Sequence, residues 1–286
     1  MPKYSYEQSV SVLRSKAEHD IGIELCYLDL DNSIAAKRFA ASEEFLAVIR
    51  MVPLLTRKQY LTVCDVGCGN GIAAYAFASL GHKVWAIDPD DSGDTGLRAT
   101  ARLAPLVTHG SITAVQALAE SLPLISSACD IVYTRQAVHH FSNLAEGAKE
   151  CARILKPGGY LFSTREHVIT DEQQLEVFLR DHPLHQMHGG EHAYSLDTYK
   201  EAFAQAGLIL SGCFGHYETV INHFPSTNRE VKQLFFLALE RRLGKSVAKL
   251  LTAVPTLESI YRKRLSDACD YPGRFYSFLY RKATQE

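Results

Sequence analysis

The sequence predicts an α/β fold: a seven-stranded, mostly parallel sheet with helices on both faces, preceded by N-terminal helices and interrupted by a mainly helical cap. Three observations predict it. Short apolar runs alternate with segments of helical period from Tyr60 to about Phe214, the pattern of successive βαβ units. The first run, Leu61 to Val66, ends in the glycine cluster Gly67-Cys68-Gly69-Asn70-Gly71, as a buried parallel strand does at its ligand edge. With 286 residues, 47% hydrophobic and 22% charged, the chain can bury one large core and carry appendages.

The elements follow in order. Residues 1–59 read as a helical extension, in which Ser33 is expected to cap one helix reaching about Ile49, with Ile34, Phe39, Phe45 and Ile49 at helical spacing. The core begins at residue 60. A helix over Ile72–Leu80 ends at Gly81, and Lys83–Asp88 forms the second strand. A helix near Thr95–Leu106 leads to a strand at Ile112–Gln116, and Asp130–Thr134 gives the fourth strand. After a helix at Leu144–Leu155, Lys156-Pro157-Gly158-Gly159 turns the chain into a fifth strand, Tyr160–Thr164. Residues 167–194 are polar and histidine-rich, with no expected core element. A helix at Leu196–Ala206, capped by Ser195, precedes a strand near Leu208–Phe214, and Arg274–Tyr280 is the last strand. The expected division is a core of 60–215 plus 273–286, with 167–194 and 216–272 as lid or substrate-cap insertions.

Composition excludes several classes. Basic and acidic residues number 30 and 32, which argues against a strongly basic nucleic-acid wrap. No apolar run approaches the ~20 residues of a membrane span, and the opening MPKYSYEQSV lacks the apolar stretch of a signal peptide. The seven scattered cysteines read as reduced thiols, so a cytoplasmic location is expected. Cys64 and Cys68 have no second pair to complete a zinc site. No internal repeat is visible.

Gly67, Gly69 and Gly71 stand at alternate positions at the end of the first strand, where a backbone free of Cβ can approach a ligand closely. A dinucleotide turn of the G-x-G-x-x-G type would need its third glycine at position 72, which is Ile. No Lys-Ser or Lys-Thr pair makes a P-loop. Asp88 ends the second strand, placed to accept hydrogen bonds from both hydroxyls of a ribose.

With DVGCGNG at 65–71, Asp88, AESLPL at 119–124, DIVYTRQAVHHF at 130–141 and ILKPGGYL at 154–161, the chain resembles the class I S-adenosylmethionine-dependent methyltransferases, of Rossmann-like fold. The likeness is to the small-molecule branch that includes ubiquinone- and biotin-pathway enzymes. The resemblance implies S-adenosylmethionine as cofactor and S-adenosylhomocysteine as product. Gly67, Gly69 and Gly71, with Asn70 among them, would flank the methionine part, and Asp65 would orient that turn. Asp88, followed by Pro89, would hold the ribose. Where the family usually has an acid before an Ala-Glu pair, this chain has Leu118, so adenine recognition would fall to the Ala119 backbone and Glu120. Arg135 and Gln136 would lie beside the cofactor carboxylate and methyl group.

Methyl transfer asks the protein to align an acceptor, exclude water and manage one proton. His167 is the expected base, with His140 behind it and Glu166 as its neighbour. His139, His182, His185, Glu191 and His192 are expected to contact the acceptor. No metal is expected; a site built from His182, His185, His188 and Glu191 is the alternative reading of that segment. The segment 216–272 carries a basic surplus, read as a solvated helix face. The expected activity is methyl transfer to a small molecule, on oxygen before nitrogen or carbon, without a membrane or nucleic-acid partner. The alternatives are an RNA methyltransferase and a non-catalytic cofactor-binding protein.

Overall fold

The computed structural model describes residues 3–15, 26–57 and 60–284. Its strands are β1 Thr62–Val66, β2 Lys83–Asp88, β3 Ser111–Gln116, β4 Cys129–Arg135, β5 Leu155–Val168, β6 Leu208–Phe214 and β7 Arg274–Lys282. They form one sheet in the order β3-β2-β1-β4-β5-β7-β6. β1 pairs in parallel with β2 and β4, and β7 runs antiparallel between β5 and β6. The order reverses direction between β1 and β4, which opens a crevice at their carboxyl ends. Both faces are covered: Val63 of β1 packs into one apolar layer, while Cys64 and Val66 pack into the other, as the alternation of strand side chains requires.

The N-terminal helices are α1 Tyr6–Arg14, α2 Asn32–Ala40 and α3 Glu43–Met51. The single helix expected from Ser33 is therefore two. Asp31, not Ser33, caps α2 by accepting from the Ser33 amide, and Ser42 caps α3 by accepting from Phe45. Two cap residues eleven apart break a continuous apolar period. An aromatic chain ties them to the sheet: Tyr27, Phe39, Phe45, Phe77 and Tyr133 meet with ring centroids 5.1–5.4 Å apart.

β1 leads into α4 Ile72–Ser79, β2 into α5 Leu97–Leu103, and β4 into α6 Leu144–Ile154. β5 is longer than the expected Tyr160–Thr164 and takes in Glu166 and His167, because β7 pairs with it as far as Val168↔Arg274. The register shifts between Ser163 and Glu166, and Arg165 adopts φ +59° there. Residues 167–194, expected to lack elements, hold α7 Glu172–Asp181 and α8 Pro183–Met187. Pro183 is the first residue of α8, a position where its missing N–H costs nothing, and His182 caps that helix. After α9 Leu196–Gln205 come β6 and the helices α10 Val220–His223, α11 Asn228–Leu243, α12 Lys245–Leu251 and α13 Pro255–Asp267. Among the described residues, no helix is long and apolar enough to cross a membrane.

Candidate active site

The turn after β1 is left-handed at each glycine, with φ +70°, +50° and +77° at Gly67, Gly69 and Gly71. A Cβ at Gly67 would sit 2.5 Å from the Ala137 Cβ, and one at Gly71 2.5 Å from the Thr100 hydroxyl. Side chains are thus excluded here by conformation and by space together. The turn is fastened to β2: the amides of Gly67 and Cys68 donate to the Ile87 carbonyl. The Gly69 amide donates to Asp88 Oδ2 at 2.8 Å, and the Asp90 amide to Asp88 Oδ1 at 2.9 Å. Asn70 donates to the Tyr27 carbonyl, so the N-terminal region closes over the turn.

A cavity of about 590 Å³ opens at this turn, within the ~300–1,000 Å³ range of small-molecule sites. Asp65, Gly67, Gly69, Asn70, Asp88 and Pro89 are part of its lining. Asp65 is buried, its carboxyl pushed up to about 7 by that burial, and its Oδ2 has no hydrogen-bond partner. Burial likewise pushes Asp88 up to about 6. Each Asp88 oxygen accepts one amide and keeps capacity for a further donor. The bare cradle, the orphaned Asp65 oxygen and the Asp88 carboxylate fit the ribose and methionine parts of the implied cofactor. Asp88→Ala is expected to weaken S-adenosylhomocysteine binding by about 1.5–3 kcal/mol, ten- to a hundredfold. Because the carboxylate is the acceptor, wild-type affinity is full above pH about 6 and falls as pH drops through it. Calorimetry across pH 5–8, with Asp88→Ala losing the acid step, checks both.

Ala119, Glu120, Arg135 and Gln136 also line the cavity. The Glu120 carboxylate accepts from the Asn143 amide at 2.9 Å, fixing the start of α6. Arg135 is also committed within the protein. Its guanidinium forks onto Glu44 of α3, at 2.7 and 3.1 Å, and also donates to Gln136. The carboxylate it pairs bidentately is the protein's own, buried with it. Gln136 is held at φ +50°, a conformation that costs strain for a non-glycine residue. Its amide donates to the Thr164 carbonyl.

The cavity is also lined by a cluster of imidazoles with one carboxylate, Glu191. His139 is buried, with Nδ1 2.7 Å from Glu166 Oε2 and Nε2 3.6 Å from Glu191 Oε2. Burial works against its charge, but the hydrogen bonds to Glu166 and Glu191 outweigh it and push it up to about 9. His140 Nδ1 donates to the Gly190 carbonyl at 3.0 Å, and His167 Nδ1 to the Gly273 carbonyl at 2.8 Å, so each Nε2 carries a lone pair. Burial, with the His139 charge beside it, pushes His167 well below its ordinary value. Phe178, Phe275, His139 and His182 enclose the His167 ring, at centroid distances of 4.7–5.7 Å.

Glu166 does not line the cavity. It is a fully buried clasp, accepting from Ser163 Oγ and from the amides of Val138 and His139. His185 and His192, expected against the acceptor, also lie outside the cavity lining, whereas His182, His188 and Glu191 are part of it. The segment 216–272 contributes no side chain to the cavity, while Ser5, Tyr6, Cys26 and Leu28 do. The histidine-rich segment and the N-terminal region therefore both contribute walls to the cavity. The capping box of Ser5 and Gln8 that starts α1 was the sequence signal for that wall.

A family profile described as a methyltransferase domain matches residues 64–163. The chain is 34% identical over 103 residues to a ubiquinone biosynthesis O-methyltransferase of Caulobacter vibrioides, covering 36% of this chain and 39% of that protein. It is 25% identical over 187 residues to the enzyme of the same name from Rhizobium etli, covering 63% and 73%. The chain thus spans well under half of one of these relatives and most of the other. A solved S-adenosylmethionine-dependent methyltransferase from Mesorhizobium loti superposes over 85% of this chain and all of its own, with a TM-score of 0.54 at 17% identity, a likeness of fold. The methyltransferase-domain match starts inside β1 and ends inside β5, and so brackets the glycine turn, Asp88 and the β4 edge; with these relatives and this neighbour of fold, it supports a class I S-adenosylmethionine-dependent methyltransferase family.

Proposed function

We propose that the protein transfers the methyl group of S-adenosylmethionine to a hydroxyl oxygen of a small-molecule acceptor. The observation that carries this reading is one cavity lined both by the glycine turn with Asp88 and by the imidazole cluster. Bound at the glycine turn, the cofactor would supply a methyl group already attached to a sulfonium leaving group. The Gly67–Gly71 backbone would orient its methionine part and Asp88 its ribose. The chain's own work is then alignment of the acceptor oxygen, worth up to roughly 7–11 kcal/mol, exclusion of water and removal of the hydroxyl proton.

His140 suits that last task better than His167. Its Nδ1–H is committed to Gly190, which directs the Nε2 lone pair elsewhere, and its side chain is 40% exposed, so a proton it takes can leave to water. His167 is enclosed by four rings, and His139 is already held as a cation between two carboxylates. Transfer to oxygen is supported by this imidazole and by the likeness to the Caulobacter and Rhizobium O-methyltransferases. The seven cysteines are all unpaired, which supports a reducing, cytoplasmic setting.

Incubation with methyl-labelled S-adenosylmethionine and extract of the source cell, followed by mass analysis, is expected to label a small molecule through oxygen. Label confined to RNA or protein, or S-adenosylhomocysteine binding with no labelled product, would replace this reading with one of the alternatives.

A further inference from the structure

We propose that His139, His167 and Glu191 form a binding site for a divalent transition-metal ion in the cavity. All three side chains are buried, and one ligand atom from each lies within 4.8 Å of the other two. The bonds such ions make, about 2.0–2.2 Å to imidazole nitrogen and carboxylate oxygen, set tetrahedral ligands about 3.3–3.5 Å apart. The edge from His139 Nε2 to Glu191 Oε2, at 3.6 Å, is already close to this.

The surroundings are what distinguish a ligand set from a chance cluster. Metal-binding imidazoles characteristically donate their other ring N–H to a carboxylate or a backbone carbonyl, which fixes the tautomer and ring direction. Both imidazoles here do so: His139 Nδ1 to Glu166, and His167 Nδ1 to the Gly273 carbonyl. Glu166 is itself held by Ser163 Oγ and two amides. Nε2 is thereby the ring atom that each imidazole has left for a ligand, and that of His139 faces Glu191. Two imidazoles and one carboxylate suit zinc, iron, manganese or cobalt better than magnesium or calcium, which take oxygen ligands.

The three ligands come from separate segments: the turn after β4, the end of β5 and the histidine-rich cover. The ion would therefore pin the cover to the sheet edge, replacing the His139 Nε2 proton that now faces Glu191, with that proton released to water. Three protein ligands leave a position open toward the cavity, where the acceptor oxygen would bind. That last role rests on the methyl-transfer reading; ion binding itself does not.

The test uses the full chain after chelator treatment. Titration with Co²⁺, followed by visible absorption, and with Zn²⁺, followed by calorimetry, is expected to give one saturable site. His167→Ala and Glu191→Gln should each weaken Zn²⁺ binding at least about a hundredfold, and Glu166→Gln about 10–100-fold through the orientation of His139. Wild-type protein that takes up neither ion stoichiometrically overturns the proposal. So does Zn²⁺ affinity that is unchanged in both ligand variants. S-adenosylhomocysteine binding, measured on the same samples, reads the cofactor site and reports separately on the methyl-transfer reading.

Discussion

Replacing His140 by alanine is expected to lower turnover about 10²–10⁴-fold, the usual range for loss of a general base, while S-adenosylhomocysteine affinity stays at the wild-type level. The two readouts separate because the hydrogen bond, ion pair and ring contact of His140 go to Gly190, Glu191 and His139, not to the glycine turn or Asp88. The ring's neighbours are the Gly190 carbonyl, Glu191 and the His139 ring at 4.2 Å. Its side chain is the most exposed of the ion-paired histidines in the cluster, so truncation leaves a wetter cavity wall rather than a hole in the core. Added imidazole should restore part of the lost turnover in His140→Ala, because a small base can occupy the vacated space. A purely structural role would not respond to it. Turnover that survives the substitution intact would show that His140 is not the base.

What the sequence made legible was the chemistry written into adjacent residues. Three glycines at alternate positions demand a left-handed turn wherever they fall, and Asp88 sits one strand away in parallel register, Val66 opposite Ile87. Arg135 could not be read in the same way. Its partner Glu44 stands 91 residues earlier, and nothing local distinguishes an arginine awaiting a ligand from one already paired.

The run of β5 past Thr164 is hidden for a related reason. Arg165, Glu166 and His167 look like surface by composition, yet none is more than 7% exposed. Such polarity survives burial only when partners are supplied, and those partners come from other strands and turns. Ser277 Oγ accepts from the Arg165 amide, Tyr133 accepts from Thr164, and the loop after β4 feeds Glu166. The histidine-rich stretch shows the converse. Pro183 starts α8, so a segment with no expected core element carries two helices and brings Glu191 to the cavity.

The largest effect on stability is expected at Glu166. Removing one partner of a buried charged pair typically costs about 3–5 kcal/mol, since the other charge stays behind unpaired. Glu166→Ala strands the His139 imidazole, the amides of Val138 and His139 and the Ser163 hydroxyl in a region without water access. Against a total stability of about 5–15 kcal/mol, such a loss should move the denaturant midpoint markedly, with the slope of the transition unchanged. Glu166→Gln should cost less: it keeps one oxygen to accept amides, but turns an NH₂ group toward donors that need an acceptor. The clasp joins β5 to the turn that carries Ala137 and His139, and Ala137 is the residue against which Gly67 packs. Loss of the clasp should therefore also weaken S-adenosylhomocysteine binding, although Glu166 touches no part of the cavity. A Glu166→Ala protein with the wild-type denaturant midpoint and wild-type cofactor affinity would show that the β4 turn holds its shape without this carboxylate.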